Sequence, residues 1–131
     1  MRIVKAAALV AMGTIAMAAP AGAQREGAWL GVGTRTLAAG SSSQIYEVRA
    51  TSVPREIMFC VEGGTVQLVS ADVRFRSGAN QAVRLATRVR AGRCSSGYHL
   101  RNREAELGSV TVAYDPASLG NATPSLQVLV R

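Results

Sequence analysis

The chemically most pointed feature of this 131-residue sequence is a run of arginines. Arg74, Arg76, Arg84, Arg88, Arg90 and Arg93 follow one another with no acid between them. Guanidinium forks bind carboxylates and phosphates through paired hydrogen bonds. If the flanking residues are extended, period-2 parity sets Arg74 and Arg76 on the face opposite Val73 and Phe75. The same parity sets Arg84, Arg88 and Arg90 opposite Val83, Leu85 and Val89. Ser77–Asn80 is a turn by composition and would lay the two segments side by side. Arg74, Arg76, Arg84, Arg88 and Arg90 are therefore the candidate anion-binding residues, on one outer face. The competing reading is a solvated face whose charge is balanced by acids such as Glu47, Glu62 or Glu104.

Other chemistry is sparser. Cys60 and Cys94 are the only cysteines. An even pair reads as a disulfide in an oxidising compartment and as two buried thiols elsewhere. Cys94 lies in Gly92–Gly97 near His99, the single histidine, with Arg93 available to lower a thiol pKa. A Cys94/His99 nucleophile is thereby conceivable, but residues five apart on an extended chain point to opposite faces. Zinc needs four ligands, and Cys60, Cys94 and His99 supply three at no recognised spacing. No metal or cofactor is expected. The eight acids are scattered, and a glycosidase would need two of them to converge. Asn121-Ala-Thr123 matches a glycosylation acceptor, which in a bacterial chain is a chance match. Gly31-x-Gly33 is too short for a dinucleotide fingerprint.

The N-terminus reads as an address. Arg2 and Lys5 precede an apolar stretch from Ala6 to Ala19, and Ala21-Gly-Ala23 is a cleavage pattern. That order describes a secretory signal peptide over residues 1–23, too short to span a bilayer. The expected mature chain, residues 24–131, is one domain with no further membrane span. Loss of Arg2 and Lys5 lowers the formal net charge of +7 by two and leaves only arginines as basic residues. A basic periplasmic or secreted domain can meet an anionic envelope polysaccharide, lipid head group or protein. Nucleic acid is not an expected partner, because aromatics are 5% of residues and no reading motif is present.

The elements that must position these residues are strands. Arg55–Arg76 is the organising stretch. Ile57, Phe59 and Val61 alternate with Met58 and Cys60, so both faces are apolar, as in a doubly covered central strand. Gly63-Gly64 reads as a tight hairpin. The apolar phase slips between Leu68 and Val73, which marks Ser70-Ala71-Asp72 as a turn or bulge. Around this stretch the sequence predicts strands at Trp29–Leu37, Ile45–Val48, Val83–Val89, Tyr98–Leu100, Val110–Tyr114 and Leu126–Val130. The glycines of the first suggest an edge or a bulge. Arg101–Leu107 is the one place with a helical turn, and Asp115–Asn121 is a loop. Eight to nine short strands with polar outer faces predict an all-β, antiparallel, jelly-roll-like β-sandwich.

The order of these segments resembles the YaaI-like family of small exported bacterial proteins of unknown function. The shared features are the Trp29-Leu-Gly strand, Arg55-x-Ile57, Val61-x-Gly-Gly-x-Val-x-Leu68 and Val73-Arg-Phe75. They continue with an arginine-studded strand ending at Ala91-Gly92, Tyr98-x-Leu100 and Ser109-Val-Thr-Val-Ala-Tyr114. The resemblance implies a periplasmic β-sandwich and brings no activity or site residues. The expectation is a non-catalytic binding module with an arginine face. The alternative is a small envelope hydrolase using scattered carboxylates or Cys94/His99.

Overall fold

The structure, a computed structural model, describes residues 28–48, 53–102 and 104–131. The expected signal peptide, residues 1–23, lies outside the described residues. The strands are β1 (Leu30–Thr36), β2 (Ser43–Glu47), β3 (Glu56–Glu62), β4 (Val66–Phe75), β5 (Asn80–Val89), β6 (Arg93–Cys94), β7 (Tyr98–His99), β8 (Leu107–Asp115) and β9 (Ser125–Val130). One sheet has the order β1-β9-β3-β6, with β7 also paired to β3; the other has the order β2-β8-β4-β5. Every pairing is antiparallel. Each sheet interleaves strands from the chain's two ends with strands from its middle. With β6 and β7 taken as one broken edge strand, this is the winding of a jelly roll.

The core forms because alternate residues of facing strands are apolar. Ile57, Phe59, Val61, Leu126 and Val128 of the first sheet meet Val66, Leu68, Val73, Val110 and Val112 of the second, all at 0% exposure. Burial of side chains of this size stabilises by about 1.5–3 kcal/mol each. Tyr46 adds a polar tie between the sheets: its hydroxyl donates to the Leu126 carbonyl at 2.8 Å.

Several expectations change. β3 and β4 lie in different sheets, so Gly63-Gly64 is a corner between layers and not a hairpin. The glycines are still needed there. Gly63 has φ +86°, and a Cβ on Gly64 would lie 2.9 Å from the Ala122 Cβ. The second face of β3 is uncovered: Met58 and Cys60 are only half-buried. The phase slip is a bulge at Val69, where the register of β4 shifts against both neighbours. Two expected strands are therefore one strand of ten residues. Arg101–Leu107 forms no helix among its described residues; Asn102 Oδ1 accepts from the amides of Glu104 and Ala105 and closes a turn. A single-turn 3-10 helix forms instead at Pro116–Leu119, capped by the Asp115 side chain.

Candidate functional site

The candidate arginines sit on and beside the β4–β5 hairpin. Its tip is held by the Phe75 and Gly78 amides, which donate to the Ala79 and Phe75 carbonyls. Gly78 supplies the positive φ of 97° that this turn requires. Across the hairpin Arg74 pairs with Asn80, Ser70 with Arg84, and Gln67 with Arg88. Opposite Val69, β5 carries the extra pair Leu85-Ala86, and Ala86 adopts a left-handed φ of 43°. All five arginines are exposed, as strand parity requires. None stands directly opposite another, so the cross-strand repulsion expected of crowded like charges is absent.

Their partners divide them. Arg74 reaches Asp72, two residues back on the same face, at 3.9 Å. Arg76 pairs with Glu106 at 3.2 Å and donates to the Val48 carbonyl at 3.0 Å, so it joins three segments of the sandwich. Arg88 Nε makes a 3.5 Å contact with the neutral Gln67 side chain. Arg84, Arg88 and Arg90 have no carboxylate within 4.0 Å among the described residues. Asp115 lies beyond Gln67 on β8, two strands from Arg88 and so roughly 10 Å away. Its carboxylate accepts from the Ala117 amide.

Beyond Val89 the chain turns toward the other sheet. The Arg93 amide donates to the Arg90 carbonyl at 3.0 Å, and Gly92 has φ +78°. Exposed Arg93 therefore stands one tight turn from Arg90 and extends the basic edge. The unbroken arginine run to Gly92-Arg93 was the sequence signal for including it. Together β5 and this turn carry four guanidinium groups with no carboxylate within 4.0 Å among the described residues, along one edge of the sandwich.

Cys60 and Cys94 form a disulfide. They are directly opposed on β3 and β6, with Cα atoms 3.9 Å apart. The Ser95 amide donates to the Phe59 carbonyl, which makes Cys60/Cys94 the closer, non-hydrogen-bonded kind of cross-strand pair. Cys94 thus has no thiol, and the Cys94/His99 alternative loses its nucleophile. His99 points outward and sits 3.7 Å from Glu56, whose other oxygen accepts from Arg131 at 2.8 Å. Glu56, Asp72 and Glu106 are thereby each held by a cation. Among the described residues no group of three or more His, Cys, Asp or Glu side chains could hold a metal ion.

Fold and site together define a class: a small jelly-roll β-sandwich with a disulfide-locked edge strand and an arginine-rich edge beside it. The chain belongs to the DUF2541 family, a domain of unknown function, whose profile matches residues 6–130. The YaaI-like name of the resemblance is not part of that match. The fold is similar to that of a chain from the structural and functional characterization of Pseudomonas aeruginosa AlgX, with a TM-score of 0.52 and 12% identity. That likeness covers 81% of this chain and 27% of the AlgX chain, and at such identity it is a likeness of fold alone. Comparison with curated protein sequences gave no match. No helix among the described residues is long and apolar enough to cross a membrane.

Proposed function

We propose that the protein is an exported, non-catalytic binding domain that docks an anionic envelope polymer on the β5 edge. The observation that carries this reading is the set of arginines without acidic partners at Arg84, Arg88 and Arg90, continued by Arg93. A strand face kept only for solubility would be served better by mixed signs. Export is supported by the disulfide, which persists in oxidising compartments, and by the leader-like residues 1–23. Intact-mass measurement of the protein recovered from the envelope is expected to give a chain beginning at Gln24; a chain still beginning at Met1 contradicts export by cleavage.

Contacts of exposed arginines with an anionic polymer weaken with salt, because screening acts over about 8–10 Å near physiological ionic strength. Retention on immobilised polyuronate and on anionic lipid vesicles separates a polysaccharide from a lipid head group. Retention on the first that falls steeply with salt, and is lost in the Arg84→Ser/Arg88→Ser/Arg90→Ser variant, supports the reading. Retention that ignores salt, or survives in a folded variant, rejects it.

A further inference from the structure

The sandwich has a second open side, opposite the β5 edge. There, among the described residues, β1 and β2 are the free edges of the two sheets: β1 pairs only with β9, and β2 only with β8. On the free side of each, alternate peptide groups lack a strand partner. A cleft of about 530 Å³ opens between them, with buried Tyr46 in its lining. That volume lies within the range of small-ligand sites. Apart from Gly33, its remaining lining is polar: Thr34, Arg35, Thr36, Gln44 and Glu47. None of these five side chains hydrogen-bonds or ion-pairs with another side chain among the described residues.

The chemistry of this set is specific. Arg35 offers only donors, Glu47 only acceptors, and Gln44 and the two threonines offer both. One guanidinium and one carboxylate cancel, so the cleft has no net charge to attract an anion. Three planar groups and two hydroxyls between rows of free peptide groups match a ligand dense in hydroxyls that both donate and accept. We infer that the β1–β2 cleft is a binding site for a neutral oligosaccharide. A peptide strand fits less well. The register of β1 breaks between Gly31 and Gly33, which disrupts the ladder a strand would extend. The lining also offers no apolar pocket for alternate side chains.

The site goes beyond the arginine reading and stands at the other edge, so the two fail separately. The test is amide-resolved NMR titration of the protein with maltohexaose, cellohexaose and the hexamer of N-acetylglucosamine. At least one is expected to shift amides of β1 and β2, with an affinity that ignores salt and survives the triple β5 variant. Arg35→Ala and Gln44→Ala are each expected to weaken it roughly tenfold, the effect of one lost hydrogen-bonding group. Both side chains reach solvent, so the fold should hold, and the unperturbed core amides report that it does. No shift at millimolar saccharide, unchanged affinity in both variants, or occupancy of the cleft by an extended peptide instead would overturn the assignment.

Discussion

Tyr46 carries two roles in one side chain. Its ring is 2% exposed, and its hydroxyl ties β2 in one sheet to Leu126 of β9 in the other. Burial pushes the phenol pKa well above its ordinary value; Arg35 pulls it down and Tyr114 pushes it up, both less strongly. The fold therefore favours the protonated phenol. That contribution is complete below the unfolded value of 10.0 and is lost as pH rises from there toward the folded value. Ultraviolet titration is expected to show the Tyr46 phenol ionising only as the protein unfolds. Tyr46→Phe should delete that late component and cost about 1 kcal/mol in urea unfolding. Ionisation of Tyr46 near pH 10 in a folded protein, seen as no difference between the parent and the Tyr46→Phe variant at higher pH, contradicts this. Strand parity made the exposure of the five arginines legible in the sequence. The Asp72–Arg74 pair was missed: the acids expected to balance the arginines were Glu47, Glu62 and Glu104, and the apolar phase slip set Asp72 in a turn or bulge instead of on the strand face it shares with Arg74. The Arg76–Glu106 pair was not legible, because it joins segments 30 residues apart that only the fold brings together.

At the scale of elements, β6 is the strand with least reason to form. It has two residues, both exposed, and no apolar periodicity to mark it in the sequence. Its place on β3 is set by the Cys60–Cys94 bond and by Ser95, whose hydroxyl accepts from the Phe59 amide while its own amide donates to the Phe59 carbonyl. The bond closes a loop with a sequence separation of 34, for which chain-entropy arguments give about 4 kcal/mol. Reduction is expected to lower unfolding stability by up to that amount and to release β6 first, read by hydrogen exchange at Arg93–Ser95. Two freely alkylatable thiols in the unreduced, unfolded protein would contradict the bond itself. The glycines at the end of β3 show the limit of local reading. Gly63-Gly64 announces a sharp reversal, but a hairpin and a corner between layers use the same left-handed backbone. Which one forms depends on whether β3 pairs with β4 or with β9, a contact far along the chain. The phase flip showed that the strand is irregular after Leu68, but not where: the bulge is at Val69 and not at Ser70-Ala71-Asp72, and the strand continues through it.

For the molecule as a whole, alternation gave the sandwich, since strands with one apolar face need a second sheet to cover them. Alternation does not name a strand's neighbours, so the sheet orders became visible only in three dimensions. Those orders carry the functional account. They place β5 and the turn to β6 at one side of the sandwich, where arginines accumulate without ion-pair partners among the described residues, and leave β1 and β2 at the other. The proposed affinity for an anionic polymer rests on position on the β5 edge and not on net charge. Two charge-matched variants test it most directly: Arg84→Ser/Arg88→Ser, and Arg55→Ser/Arg101→Ser. All four residues are exposed, so both variants should fold. The salt concentration that elutes each from immobilised polyuronate is the measurement. The first variant is expected to elute far earlier than the parent, and the second close to it. Equal losses in the two variants, or no loss in either, would contradict the claim.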